Sequence, residues 1–232
     1  MGRDREAIIS FIQRLDTCDQ DAILSLGSSA VFRSGDHVFR EGEVAGSVAL
    51  LINGCVKICG TARNGRNVLL ALRDAGDLVG QLPALDDSAT RPSSAIAIAD
   101  VEARIVSRTE FRDFLLHHPR ATYVLMQELS RDLTEALRQG KVLGSEGTLG
   151  RVVERLLELA DRYGAPTPGG GVRIALHLSQ ADVAAWIGGS REAVVRALAS
   201  LRARGLITTQ RRTIVIRDLD ALRSDICVTA GV

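Results

Sequence analysis

The 232-residue sequence predicts an α+β chain: a β-rich N-terminal roll, a long central helix, and a C-terminal helical unit closed by a β-hairpin. Three observations predict it. Between Ala30 and Ser107, short apolar or β-branched runs alternate with glycine-bearing turns, the texture of closely spaced strands. After Pro119, apolar residues recur at steps of three and four, the period of a helix with one apolar stripe. Beyond Leu178, two amphipathic segments with capping residues meet at Gly188-Gly189 and lead into two short β-type runs. The length and a 46% hydrophobic content allow more than one buried core, so two domains are expected.

Taken in order, the opening stretch reads as a short helix with Ile8, Phe11, Ile12 and Leu15 on one face, then a second helix from Asp19 to Leu26. The strand-like runs are HVFR, VALLI, CVKIC, VLLAL, SAIAIA and ARIVS, with turns at Gly35, Gly42, Gly46, Gly54, Gly65 and Gly76. Together they imply a β-sandwich or roll. Thr109 to Leu116 forms a short helix that must stop before Pro119. In the long helix, Met126, Leu129, Leu133, Ala136, Gly140 and Leu143 follow a 3-4-3-4-3 spacing, an a/d seam for a second helix. A single buried helix would show the same stripe. Small residues at 136 and 140 favour close approach of two helices, while a second apolar line through Leu125 and Leu137 packs elsewhere. Three glycines in GKVLGSEG interrupt the pattern and put a hinge near residues 140 to 148. Another amphipathic helix follows (Leu149, Val152, Val153, Leu156, Leu157, Ala160), then the loop GAPTPGGG, expected to lack regular structure, a strand within VRIALHL, two helices, a hairpin and a tail.

The most informative segment is LSQADVAAWIGGSREAVVRALASLRARGLITTQRRTIVIRD. Ser179 and Asp182 form a capping box, and Ser190 caps the second helix. Val194, Ala197, Leu198 and Leu201 must face a core. The opposite face then presents Arg191, Glu192, Val195 and Arg196. Arginine bonds guanine bidentately and glutamate accepts from cytosine, so this face suits a DNA major groove. An i,i+4 ion pair between Glu192 and Arg196 on a solvated surface is the alternative. The helix-Gly-Gly-helix arrangement and the following hairpin, a wing with Arg211 and Arg212 in its turn placed for phosphates, favour DNA. Ser179 and Gln180 at the start of the first helix join the expected contact set.

The net charge of +1 says little by itself, but its distribution does not. From Arg151 onward there are 12 Arg and 8 acidic residues, a balance of +4, against −3 for residues 1 to 150. The basic half is the candidate nucleic-acid half. No apolar run approaches the roughly 18 residues of a membrane span, and the first residues lack the pattern of a signal peptide, so a cytoplasmic protein is expected. Cys18, Cys55, Cys59 and Cys227 are scattered, and Cys55 and Cys59 on one strand face would stand about 13 Å apart, too far for a disulfide. Thiols are expected, with no metal set and no catalytic constellation.

The motifs G-S-R-E-x-x-x-R at Gly189 to Arg196, G-D-L-V-G-Q-L at Gly76 to Leu82 and F-R-E-G at Phe39 to Gly42 make the sequence resemble the CRP/FNR family of transcription regulators over nearly its whole length. The resemblance implies a cyclic-nucleotide-binding-type β jelly roll as sensor domain over residues 1–118. A dimerisation helix and hinge would follow over 119–147, and a winged helix-turn-helix DNA-binding domain over 148–232. It also implies that Arg191, Glu192 and Arg196 read a half-site. In the effector pocket the implied positions are Gly80, Gln81, Leu82, Arg91, Pro92 and Ser93, with Ala136 and Leu137 where the family's adenine-bonding Thr-Ser pair falls. Gln81 replaces a ribose-binding glutamate, and Pro92 supplies neither hydroxyl nor N–H. A second register puts Ser93 rather than Arg91 at the phosphate. Ala136 and Leu137 cannot hydrogen-bond through their side chains. The combined losses cost about 2–4 kcal/mol. The expected effector is therefore an unidentified small molecule other than cyclic AMP, or none. Heme-binding relatives direct attention to His37, His117 and His118, each of which also suits an ordinary surface or core position. The expected partners are palindromic double-stranded DNA, a second copy of the chain and RNA polymerase, with no membrane. The competing function is a regulatory module of cyclic-nucleotide type acting on a protein partner without DNA.

Overall fold

The computed structural model describes residues 9–86, 90–145, 147–175, 178–210 and 213–229, the side chains of 141–145 and 225–229 excepted. The chain divides into two compact units, one ending at Glu135 and the other running from Ala136.

In the first unit α1 (Thr17–Ser25) is followed by β1 (Ser28–Phe32), β2 (His37–Phe39), β3 (Ser47–Asn53), β4 (Cys55–Thr61), β5 (Asn67–Asp74), β6 (Leu78–Val79), α2 (Gln81–Ala84), β7 (Ser94–Ala97), β8 (Val101–Ser107) and α3 (Arg108–His117); α4 (Pro119–Ser145) begins in this unit and ends in the second. The strands form two four-stranded antiparallel sheets, ordered β1-β8-β3-β6 and β2-β7-β4-β5. The run VALLI is apolar without alternation because β3 is covered on both faces. Ala49 and Leu51 meet Val56, Ala95 and Ala97 of the other sheet. Val48 and Leu50 meet Ile23, Phe111 and Leu125 on the helices. Alternate side chains of one strand thus serve two cores. Ser107 caps α3 through a capping box with Glu110.

The opening helix predicted over Ile8 to Leu15 is instead a single 3-10 turn, Ile12–Arg14, and Ile8 lies outside the described residues. The Ile12 N–H bonds Gly76 O at 3.0 Å, and the Gln20 amide donates to Ile12 O and Leu15 O. Those bonds hold Phe11 and Leu15 in the core without a helix.

α4 enters the first unit through Ala121 and Leu125. Leu129 packs beside them, whereas the expected seam had it facing a second helix. Leu137, expected to pack elsewhere, is 62% exposed, as are Tyr123, Met126 and Leu133. At 100° per residue these four fall within one stripe about 80° wide, so the outward apolar line runs through 123, 126, 133 and 137. Ala136 and Gly140 are also exposed, and the side chain of Leu143 lies outside the described set. The glycines did not break the helix at 140. α4 continues through Gly140 and Gly144 to Ser145, since each helical glycine costs only about 1 kcal/mol. Residue 146 is outside the described set, and the next helix begins at Thr148.

Glu128, on the inward side of α4, is 9% exposed. Burial pushes its carboxyl up to about 7; Arg73 opposes the rise, and Asp77 and Asp132 add to it. In the unfolded chain an ordinary carboxyl ionises near 4.5. Below that value the group is neutral in both states and costs nothing. From pH 4.5 to 7 the folded state alone holds the proton, so stability falls as pH rises, by a total of about 3 kcal/mol above pH 7. A Glu128→Gln variant should therefore melt higher than the parent at pH 8 and together with it at pH 4.5. Equal melting shifts at both values in calorimetry would contradict this.

In the second unit α5 (Thr148–Tyr163) precedes β9 (Gly164–Pro166), β10 (Val172–Ile174), α6 (Gln180–Trp186), α7 (Arg191–Ala203), β11 (Ile207–Gln210), β12 (Thr213–Ile216) and α8 (Leu219–Thr229). The sheet order is β11-β12-β10-β9, all antiparallel. Two expectations are corrected. Part of GAPTPGGG is the edge strand β9, where Pro166 is tolerated because an edge need not donate on its open side. The tail is helix α8, capped by the Asp218 carboxylate, which accepts from Asp220 and Ala221 N–H, and anchored by fully buried Leu222. The strand within VRIALHL is confined to Val172–Ile174, and Leu176 and His177 are outside the described residues.

Candidate nucleic-acid interface and sensor cavity

The helix pair in the second unit is built by local chemistry. The Ser179 hydroxyl accepts from Asp182 N–H at 3.1 Å, and the Asp182 carboxylate accepts from Ser179 N–H at 3.0 Å, which satisfies two of the donors left open at the start of α6. Gly188 turns the chain at φ 62°, a left-handed value that a side chain would resist. Ser190 then caps α7 by accepting from Ala193 N–H at 3.2 Å. Val194, Ala197, Leu198 and Leu201 are buried. Arg191, Glu192 and Arg196 are exposed, and Val195 is 40% exposed. Ser179 and Gln180 are exposed at the start of α6.

The Glu192 carboxyl is held below its ordinary value, first by its own backbone N–H, then by the Ser190 side chain and the charges of Arg191 and Arg196. It is an acceptor at neutral pH. The end of α7 is tied to the hairpin by Arg202, whose Nη1 donates to Thr209 Oγ1 at 2.9 Å. Arg211 and Arg212, the expected wing contacts, lie outside the described residues.

In the first unit a cavity of about 100 Å³ is lined by Gly80, Gln81, Leu82, Arg91, Pro92 and Ser93, together with Phe39, Arg73 and Asp132. Ala136 and Leu137 are exposed and do not line it; Asp132 is the lining residue from α4. Gly80 has φ 81°, and a Cβ there would stand 2.5 Å from Arg91 Nη1. Arg91, 4% exposed, stacks 3.4 Å from the centroid of the Phe39 ring and donates through Nη2 to Ser47 O at 2.8 Å. Its Nη1 is buried without a hydrogen-bond partner. Burial lowers its pKa and the Glu43 charge opposes the shift. A guanidinium so placed is a donor in want of an acceptor. Sequence reasoning missed Arg73 and Asp132, which pair at 2.5 Å between β5 and α4.

The histidines have local partners in two cases. His118 Nδ1 lies 2.6 Å from Asp19 Oδ1 and its ring stacks on Phe114, and His117 Nδ1 bonds Asp113 O at 2.7 Å. Cys18, Cys55 and Cys59 form no disulfide. Among the described residues no cluster of three or more His, Cys, Asp or Glu is placed to hold a metal ion, and no helix is long and apolar enough to cross a membrane.

A Cyclic nucleotide-binding domain model matches residues 29–118, and a Crp-like helix-turn-helix domain model matches residues 150–224. The CRP-like cAMP-activated global transcriptional regulator of Mycobacterium tuberculosis is 34% identical over 191 residues, 82% of this chain and 84% of that protein. The chain belongs to the CRP/FNR family of transcription regulators. The Cyclic AMP receptor protein of Thermus thermophilus is 27% identical over 85% of this chain and 88% of its own. Among solved structures, FixK2 from Bradyrhizobium japonicum has a TM-score of 0.73 at 25% identity, covering 86% of this chain and 96% of that one. The CRP/FNR architecture, a cyclic-nucleotide-binding β-rich domain followed by a helix-turn-helix, is the one the sequence predicted.

Proposed function

We propose that this CRP/FNR regulator works in the cytoplasm as a homodimer that reads palindromic double-stranded DNA with α7 and responds to a small molecule held in the sensor cavity. One observation carries the DNA reading: α7 buries Val194, Ala197, Leu198 and Leu201 and presents Arg191, Glu192, Val195 and Arg196 outward from a doubly capped helix pair. Two arginines flanking an ionised glutamate form a hydrogen-bonding face for G·C pairs. A regulatory module without DNA leaves that face unexplained. The exposed stripe Tyr123, Met126, Leu133 and Leu137 supports the second copy. A change of arrangement near Gly140 to Gly147 would couple effector to DNA, and RNA polymerase is the expected further partner. Selection of bound sequences from a random DNA pool tests the reading. The expected winner is a two-fold palindrome with half-sites about 34 Å apart, bound less tightly as salt rises. No enriched sequence would refute it.

The Mycobacterium tuberculosis relative is named for activation by cyclic AMP. Here Pro92 offers no N–H, and Ala136 and Leu137, where the family's adenine-bonding pair falls, do not line the cavity. Cyclic AMP is expected to change operator affinity by less than about tenfold, roughly 1.4 kcal/mol, in a fluorescence anisotropy titration. A larger effect would show that its remaining contacts suffice.

A further inference from the structure

The sensor cavity is polar at two places of different chemistry. At one, Arg91 Nη1 is buried and unsatisfied, in room that the missing side chain of Gly80 provides. At the other, Arg73 and Asp132 line the same cavity and hold each other at 2.5 Å. Arg73 also donates to Leu72 O at 3.2 Å, which fixes its position on β5. A cyclic nucleotide, the ligand type of the matched domain, has one phosphodiester anion and one base. Arg91 is the lining cation with a buried donor that has no partner, so the anion belongs there. The base is left with the Arg73–Asp132 pair.

That pair discriminates between purines. A carboxylate accepts hydrogen bonds and gives none. Guanine presents two adjacent donors, N1–H and the N2 amino group, which match a carboxylate, and two adjacent acceptors, O6 and N7, which match a guanidinium. Adenine alternates donor and acceptor on both edges. Its N1 lone pair would face a carboxylate oxygen, and its N6 amino group would face a guanidinium. We propose that the cavity selects a guanine-bearing cyclic phosphodiester over an adenine one, with Asp132 and Arg73 as the base-selecting residues. The proposal rests on the reading of the cavity as an effector site.

Calorimetric titration of the full-length protein with cyclic GMP, cyclic di-GMP and cyclic AMP tests it, and the first two arms separate the possible sources of guanine. At least one guanine ligand should bind about tenfold or more tightly than cyclic AMP, the discrimination expected of one bidentate contact. Asp132→Asn, which puts a donor beside the acceptor, should bring the two within about threefold of each other, well below that discrimination. Arg91→Ala should weaken all ligands alike. Equal or tighter binding of cyclic AMP by the parent protein overturns the proposal. So does an unchanged ratio in an Asp132→Asn variant that melts and binds DNA like the parent. Absence of any guanine ligand binding at about 1 mM also overturns it. Pool selection on the same preparation keeps the two readings apart: a palindrome recovered by a protein that ignores guanine nucleotides leaves the DNA reading standing and removes this one.

Discussion

An Arg191→Ala dimer should bind its selected operator about 1–3 kcal/mol more weakly per half-site, hence about 2–6 kcal/mol in all, and should lose preference at one G·C pair in each half. The side chain stands at the first position of α7, exposed, while the opposite face of the helix is buried, so its removal leaves the fold intact. Pool selection with parent and variant is the measurement. A consensus identical in both would reduce Arg191 to a surface charge. Arg211→Ala or Arg212→Ala should behave differently, weakening all sequences alike and flattening the salt dependence by about one phosphate contact.

The second large effect concerns the outward stripe of α4. Leu133 is 62% exposed in the single chain, flanked along the helix by Met126 and Leu137 at the same exposure. A Leu133→Glu dimer would bury two like charges across its symmetry axis. At several kcal/mol per desolvated ion, the cost exceeds about 3 kcal/mol, more than 100-fold in the dissociation constant. Sedimentation should show dimer for the parent and monomer for the variant at micromolar concentration. A monomeric parent would remove the dimer from the account.

What could be read from the sequence follows the range of the interaction that decides it. The capping boxes at Ser107 and Ser179 and the Ser190 cap act within three residues, and the pattern of letters contains both partners. The buried face of α7 needed only a helical period. The facing of α4 needed more. Leu129 turns inward and Leu137 outward because Ala121 and Leu125 meet the sensor core, a tertiary fact that a 3-4 spacing leaves open. The Arg73–Asp132 pair joins residues 59 positions apart and left no local mark. Six of the eight positions assigned to the pocket by resemblance line one cavity, while on α4 the resemblance pointed to Ala136 and Leu137 and passed over Asp132. The tail helix was legible in principle: Asp218 stands just ahead of Leu219 and Leu222, a cap before an apolar pair.

Glu192 stands apart from its neighbours on α7 in one respect. Its carboxyl is held in the ionised form before any DNA arrives, favoured by its own backbone N–H, by Ser190 and by the charges of Arg191 and Arg196. In the proposed reading the face is thus an acceptor that stays charged, set between two arginines on long stems. Sliding along non-matching DNA, the arginines would find phosphates to pair with, whereas a charged carboxylate would meet only base edges and phosphates that offer it few donors. Rejection of wrong sequences would then rest on the acidic group of the three, and would show itself as a short residence time on non-cognate sites.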